Sequence, residues 1–531
     1  MRADKVSQMK VLVADEISKN GVELLKAQGY TVDVRTGLKE DELDKIMKDY
    51  EVLLVRSATK ATRRVIEAGK KLKVIGRAGI GVDNIEVEAA TERGVLVMNA
   101  PSGNVTSTAE LTIGLVFALA RRIPQADASM KKGEWKRKEM KGVQVQGKTL
   151  GIIGLGRVGA EVAKRASMLG MTVIAYDPLV SPEVGVKLHV RLVTLDRLLS
   201  DSDIVTLHTP LTQQTKSMLG KEELAKMKKS AMLINSARGG IVNEDALAEA
   251  LAENRIAGAA VDVFANEPPT GSRLLTLQNA ILTPHLGATT TEAQEEVGSE
   301  IAEQVISYLR DNVIKNAVNM PAKLDPDLVP YMPLAEKLGT FVSYLARCSA
   351  GRVEIHCMGQ LAKKDISIIS ASVITGLLKP LAEEFNVNYI NAFAIAKARG
   401  VEIVTSASED AGRFSNLIRV SLQTNGDSAS TAGTLMPDRG PRIVEVNENP
   451  VDIVPEGHYL LIAHTDKPGM IGKVGSILGD SDVNIASMEV ARAQRRGPAM
   501  MILELDEELP TKVLRKVREI TDLQSAISIK L

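Results

Sequence analysis

A chain of 531 residues is too long for one domain and, at roughly 100–200 residues each, predicts three or four. Apolar residues make up 44% and charged residues 25%, and 66 basic side chains balance 66 acidic ones, so no electrostatic argument points to nucleic acid or an anionic membrane as partner. Cys348 and Cys357 stand in no disulfide or metal framework, the start MRADKVSQMK is polar, and the apolar stretch from Leu111 to Ala120 is too short to cross a bilayer, so a cytoplasmic protein without a metal site is expected.

From Lys10 to about Pro101, short apolar strands (KVLVAD, TVDV, EVLLVRS, LKVIGRAG, VLVMN) alternate with amphipathic helices, the pattern of a parallel sheet. Residues 105–122 predict a long apolar helix with N-cap candidates at its start, followed by a lysine-rich connection that holds the single tryptophan, Trp135. A second series runs from KTLGIIGLGRVG to ILTPHLGA at 281–288, with strands TLGIIG, TVIAYD, IVTLH, AMLINS, GAAVDV and AILTP. Two such units imply two lobes with a cleft between them, and the helical pattern from Thr291 to Leu309 can return the chain to the first. KLDPDLVPYMP marks a linker into a region of mixed helix and strand patterns, and the last segment reads strand, helix, strand, strand, helix, strand, the ferredoxin-like order. The expected fold class is α/β: two Rossmann/flavodoxin-like parallel-sheet domains, then an α/β intervening domain and a ferredoxin-like tail. The boundaries are expected at 1–100 joined with 290–320, at 101–289, at 325–452 and at 456–531.

Gly154, Gly156 and Gly159 spell GLGRVG between an apolar strand and a helix pattern. In that context the first glycine allows a tight turn, the second lets backbone approach a pyrophosphate, and the third lets the helix pack on its strand. The helix N-terminus then offers free N–H groups and a positive dipole end to the diphosphate. Asp177 ends the next strand, where an acid takes the ribose hydroxyls and repels a 2′-phosphate, so NAD is expected rather than NADP. The competing reading is a glycine-rich turn with a helix-capping aspartate.

Ligands of open α/β sheets bind beyond the carboxyl ends of the strands, and polar residues cluster there: Asp177, His208 with Thr209, Ser236 to Gly240, Asp262 and His285. Oxidising a hydroxy acid needs a base near neutral pH and a cation for the carboxylate. His285 suits the first role and Arg238, with its planar fork, the second. Glu267 can accept the other imidazole N–H and fix the tautomer. Taken singly each has a plainer reading: a satisfied structural histidine, an arginine that caps a helix or pairs with Asp245, a solvated turn glutamate. Together, downstream of a dinucleotide fingerprint, they point to chemistry. His208 reads as a strand-end residue near the cofactor, and His189, His356 and His458 as structural.

GLGRVG, TPL at 209–211, SARGGIVNEDAL, DVFANEPP and PHLGA, in this order, resemble the D-2-hydroxyacid dehydrogenase superfamily. The resemblance implies Arg238, Glu267 and His285 as catalytic residues and a nucleotide domain inserted into a discontinuous substrate domain. It also implies an NAD site lined by Arg157, Val158, Asp177, Thr209, Ser236, Asp262, His285 and Gly287. VRSATK at 55–60, RAGIGVDNI at 77–85 and NAPSGNVTSTAE at 99–110 are similar to the phosphoglycerate dehydrogenase family over nearly all of residues 10–320. That likeness implies substrate held around Arg56, Ser57, Gly79 and Asn104, with Arg56 on the phosphate. Arg137, in EWKRK, either reaches the phosphate of a neighbouring subunit or belongs to a solvated charge run.

Residues 458–531 resemble an ACT domain, which implies L-serine as effector between two paired copies, near His464, Asp466 and Asn484. Residues 330–450 resemble the intervening allosteric substrate-binding domain of long-form members. The function implied is NAD-dependent oxidation of D-3-phosphoglycerate to 3-phosphohydroxypyruvate, the first step of L-serine biosynthesis, restrained by serine in a homodimer or homotetramer. Two other readings stand beside it: a dehydrogenase acting on glyoxylate, hydroxypyruvate or 2-oxoglutarate, and a non-catalytic NAD-sensing protein of the corepressor kind.

Overall fold

The computed structural model describes residues 9–322, 324–346, 351–381, 387–424, 428–492 and 494–531; Cys348 lies outside them. The first sheet is wholly parallel, in the order Thr31–Val34, Lys10–Val13, Val52–Val55, Val74–Arg77, Leu96–Asn99. This is the 2-1-3-4-5 flavodoxin order. Helices cover both faces, which is why VLLV at 52–55 is buried at every position rather than at alternate ones. One of those helices is Thr291–Asp311, whose Val297, Ile301 and Val305 pack with Val11, Val13 and Leu54.

The second sheet is also parallel and has seven strands: Ala280–Leu282, Gly258–Val261, Met232–Asn235, Ile204–Leu207, Thr149–Ile153, Thr172–Tyr176 and Arg191–Leu192. The chain order reverses between Thr149–Ile153 and Ile204–Leu207, and that switch point opens a crevice at the carboxyl ends of the strands. Arg191–Leu192 was not expected, because two residues are too few to show a period. The helix Val105–Arg121 lays Leu115 and Val116 against this second core.

The third sheet is mixed, in the order Glu402–Ser408, Arg352–Gly359, Asn416–Gln423, Ser428–Met436, Gly440–Val446, Asn449–Ile453; only its first pair is parallel. The helix Ser367–Leu378 is buried from Ile368 to Leu378, and its hydroxyls are satisfied within the helix: Ser372 donates to the Ile368 carbonyl at 2.8 Å and Thr375 to that of Ala371 at 2.8 Å.

The tail sheet is antiparallel, in the order Ile485–Arg492, Pro498–Leu505, His458–Thr465, Leu523–Lys530, with helices Met470–Gly479 and Thr511–Arg518 on one face. Leu460 and Ile462 meet those helices, while Tyr459 and Leu461 join the core of the intervening domain. Burial on both faces explains the unbroken apolar run in YLLIA. The intervening domain also touches the first lobe, where the Asn388 amide donates to the Gly94 carbonyl at 2.8 Å and Ile390 enters the first lobe's core. Among the described residues no helix is long and apolar enough to cross a membrane, and no three His, Cys, Asp or Glu side chains are grouped to hold a metal.

Candidate active site

The glycine turn is built as its spacing requires. Gly154 has φ +93°, and a Cβ there would stand 2.6 Å from the His208 carbonyl oxygen. A Cβ on Gly159 would stand 2.1 Å from the Gly154 oxygen, so the helix Arg157–Met168 lies directly on its strand. Beside Gly156, by contrast, the space is open, with no atom within 4 Å. Gly156 is also the N-cap of that helix and no side chain caps it, which leaves its first N–H groups available. Asp177 closes the far side: its carboxylate accepts from the Leu155 N–H at 2.8 Å and the Leu179 N–H at 2.9 Å, with lone pairs to spare.

A cavity of about 380 Å³ opens between the lobes at the carboxyl ends of both sheets. Arg157, Val158, Thr209, Ser236, Asp262 and Gly287 line it together with Arg238, His285 and Asn104, the last at the start of the helix Val105–Arg121 that packs on the second core. Three polar atoms in this wall are buried without a partner: Thr209 Oγ1, Asn104 Oδ1 and Arg77 Nε. Asn104 is the N-cap of the helix Val105–Arg121, yet its side chain makes no capping bond. Orphaned acceptors beside an open glycine turn, with a ribose-type acid at its edge, fit a dinucleotide.

Glu267 Oε2 lies 2.8 Å from His285 Nδ1, and its Oε1 accepts from the Phe264 N–H at 3.1 Å. With a carboxylate on Nδ1, that nitrogen carries the proton and Nε2 is left with a lone pair. His285 itself has φ +55°, and Asp262 holds the turn: its Oδ1 accepts from Leu286 N–H at 2.7 Å and its Oδ2 from Gly287 N–H at 3.0 Å. Burial pushes the Asp262 carboxyl up, against those hydrogen bonds. The ring of His208, enclosed by protein although the residue keeps some accessible surface, is pushed down to about 3 by burial. At neutral pH it is uncharged.

Residues 113–287 match the family model "D-isomer specific 2-hydroxyacid dehydrogenase, NAD binding domain", residues 327–447 match "D-3-phosphoglycerate dehydrogenase intervening domain", and residues 458–522 match "ACT domain". D-3-phosphoglycerate dehydrogenase of Methanocaldococcus jannaschii is 46% identical over 528 residues, covering 98% of this chain and 100% of its own. The Bacillus subtilis enzyme of that name is 42% identical, covering 98% and 99%. The chain belongs to the D-3-phosphoglycerate dehydrogenase family.

Its second sheet is therefore an NAD-binding domain. The family's catalytic half is similar to solved structures of other activities: a glyoxylate reductase from Paecilomyes thermophila (30% identity, TM-score 0.54) and an NAD-dependent formate dehydrogenase from Staphylococcus aureus bound to NAD (29%, 0.53). They cover 59% and 58% of this chain and 98% of each of those chains, so the fold of this half does not by itself choose the acid.

The remaining expected residues are distributed unevenly. Arg56 and Ser57 sit in the loop after Val52–Val55, where Asp15 accepts the Arg56 N–H at 2.6 Å and the Arg56 guanidinium donates to the Glu16 carbonyl at 3.3 Å. Neither they nor Gly79 line the cavity wall, and Arg137 is exposed on the connection after the helix Ile123–Lys131. Sequence reasoning overlooked Arg77, the last residue of Val74–Arg77, which does line the wall. Its Nε is buried without a partner; burial, then the nearby Arg238, draws its pKa down to about 10. Arg238 pairs not with Asp245 but with Asp83 of the first lobe, at 2.9 Å.

In the ACT domain His464 is buried; its Nδ1 lies 2.9 Å from the Thr465 carbonyl oxygen, and Nε2 has no partner. Asp466 accepts from Arg492 at 2.6 Å and from the Arg496 N–H at 3.0 Å, and these contacts hold its carboxyl below the usual range. Asn484 lies at the other end of the ladder. Thr465 pairs with Pro498 and Ile485 with Leu505, so one chain does not bring Asn484 and Asp466 together.

Proposed function

We propose that this chain oxidises D-3-phosphoglycerate to 3-phosphohydroxypyruvate, the first step of L-serine biosynthesis. NAD bound at the glycine turn supplies the hydride acceptor. His285 Nε2 takes the hydroxyl proton, while Glu267 keeps the ring in the required tautomer and stabilises the imidazolium that forms. Arg238 binds the carboxylate and the C2 oxygen, and Arg77 and Arg56 take the phosphate. The observation that supports the substrate is the pair of guanidiniums on one cavity wall: Arg77, whose buried Nε has no partner, lines it together with Arg238, which suits a trianionic substrate.

The effector reading needs a second copy of the chain. Ile485–Arg492 is an edge strand with Met488 and Val490 exposed, and Arg492 is bonded to Asp466. In the antiparallel register that sets residue 492 of one edge opposite residue 485 of the other, Asp466 comes beside the Asn484 of the partner copy. L-Serine between them in a homo-oligomer, and a cytoplasmic location, belong to the same reading.

The substrate is tested by steady-state kinetics with D-3-phosphoglycerate and with unphosphorylated D-glycerate. The expected result is a kcat/KM larger by at least about a hundredfold for the phosphorylated acid, the scale of two lost charge-assisted contacts, and loss of most of that preference in Arg56→Ala. A chain that prefers the unphosphorylated acid does not have this function.

A further inference from the structure

Asp83 is absent from the cavity wall and has no part in the chemistry above, yet it makes the one ion pair that joins the two lobes through Arg238 among the described residues. Its Oδ2 accepts the Arg238 Nε–H at 2.9 Å across 155 positions of sequence. Arg238 Nη1 is meanwhile tied to the Ala237 carbonyl at 2.7 Å. Nη2 lies against Gly81, where a Cβ would stand 1.9 Å from it. The guanidinium is thus held at Nε by the first lobe and at Nη1 by its own loop. Its Nη2 edge runs along Gly81 of the first lobe's loop, where any side chain would collide with it.

Energetics say what the pair is for. The Asp83 side chain is 62% exposed, and an ion pair that open to water adds little to stability. A carboxylate facing a site for anions also costs binding through repulsion. Orientation is what remains. An arginine with four rotatable bonds presents its fork to a substrate only if something fixes the guanidinium plane.

We infer that Asp83 is a positioning residue that reaches from the first lobe across the cleft and holds Arg238 in its working orientation, so that the cation is set when the lobes close. The inference rests on the oxidoreductase reading of Arg238 given above. The contact exists only while the two lobes lie against each other, so their packing sets the orientation of Arg238 at Nε.

The test uses the full chain with Asp83→Asn, Asp83→Glu, Arg238→Lys and the double variant Asp83→Asn/Arg238→Lys. Melting temperature and the KM for NAD are measured beside kcat and KM for the acid. Asp83→Asn is expected to melt with the wild type and keep its KM for NAD, while kcat/KM for D-3-phosphoglycerate falls about tenfold, because an amide oxygen accepts from Nε–H without the charge that strengthens the bond. Asp83→Glu should recover part of the loss. Because Asp83 acts through Arg238, the double variant should be no worse than Arg238→Lys alone. Wild-type kinetics in Asp83→Asn, a lower KM for the acid at unchanged kcat, or additive losses in the double variant would each overturn the inference. The wild-type rate is a separate control: no turnover of D-3-phosphoglycerate overturns the substrate assignment, whereas normal turnover with an unaffected Asp83→Asn overturns the positioning role alone.

Discussion

Arg77 shows how much one residue can carry without a motif to announce it. A buried guanidinium with an unpartnered Nε costs about 1–3 kcal/mol in a ligand-free protein. That cost is recovered when an anion supplies the missing acceptor. With a pKa near 10 it is still cationic at neutral pH. Arg77→Ala is expected to raise the KM for D-3-phosphoglycerate by about a hundredfold while NAD affinity, read by fluorescence titration, stays put. Arg77→Lys should recover little, since an ammonium cannot present a planar fork. The residue was legible in principle: the rule about carboxyl strand ends, applied to the first sheet as well as the second, would have found it. Asp83 was not, because its partner is known only once the lobes are packed.

At the scale of elements, strand, glycine turn and helix form one device whose three glycines differ in what surrounds them. Gly156→Ala places its methyl in open space at a permitted φ of −73°, whereas Gly159→Ala drives it into the Gly154 backbone. The first variant is therefore expected to keep the wild-type melting temperature but lose NAD affinity, because the methyl occupies the diphosphate's approach. The second should lose about 1–3 kcal/mol of stability as well, the usual penalty of overpacking. Thermal melts with and without NAD separate the two. The order of these elements was plain from periodicity in the sequence, and the parallel sheets appeared where alternating strands and helices predicted them. The short strand Arg191–Leu192 left no such trace.

On the whole-molecule scale, the tail and the catalytic lobes are joined by packing rather than by chemistry. Tyr459, Leu461, Ile502 and Ile529 of the ACT sheet share a core with Phe341 and Ile369 of the intervening domain, which in turn touches the first lobe at Gly94. A ligand that pairs two ACT domains thus acts on a body that rests against the substrate lobe. Millimolar L-serine is expected to slow the full chain. Asp466→Ala and Asn484→Ala should each raise the serine needed for half-inhibition by at least about tenfold, or 1.4 kcal/mol of binding. An unchanged rate across the serine titration would remove the effector from this account.

What the sequence determined by itself was everything local or periodic. It set the alternation that builds the two parallel sheets, the order of elements in the tail, the glycine spacing before the helix Arg157–Met168, and the strand-end placement of Asp177, Arg238 and His285. These follow from short-range geometry, in which each residue's environment depends on neighbours a few positions away. Only the tertiary structure decided which polar groups meet across long separations without a motif to announce them: Arg77 beside Arg238 on one cavity wall, and Asp83 of one lobe on Arg238 of the other. It also decided that Asp466 and Asn484 lie at opposite ends of one sheet. The reason is physical. Side-chain pairing between distant segments is set by how whole domains pack, and no pattern within either segment records it.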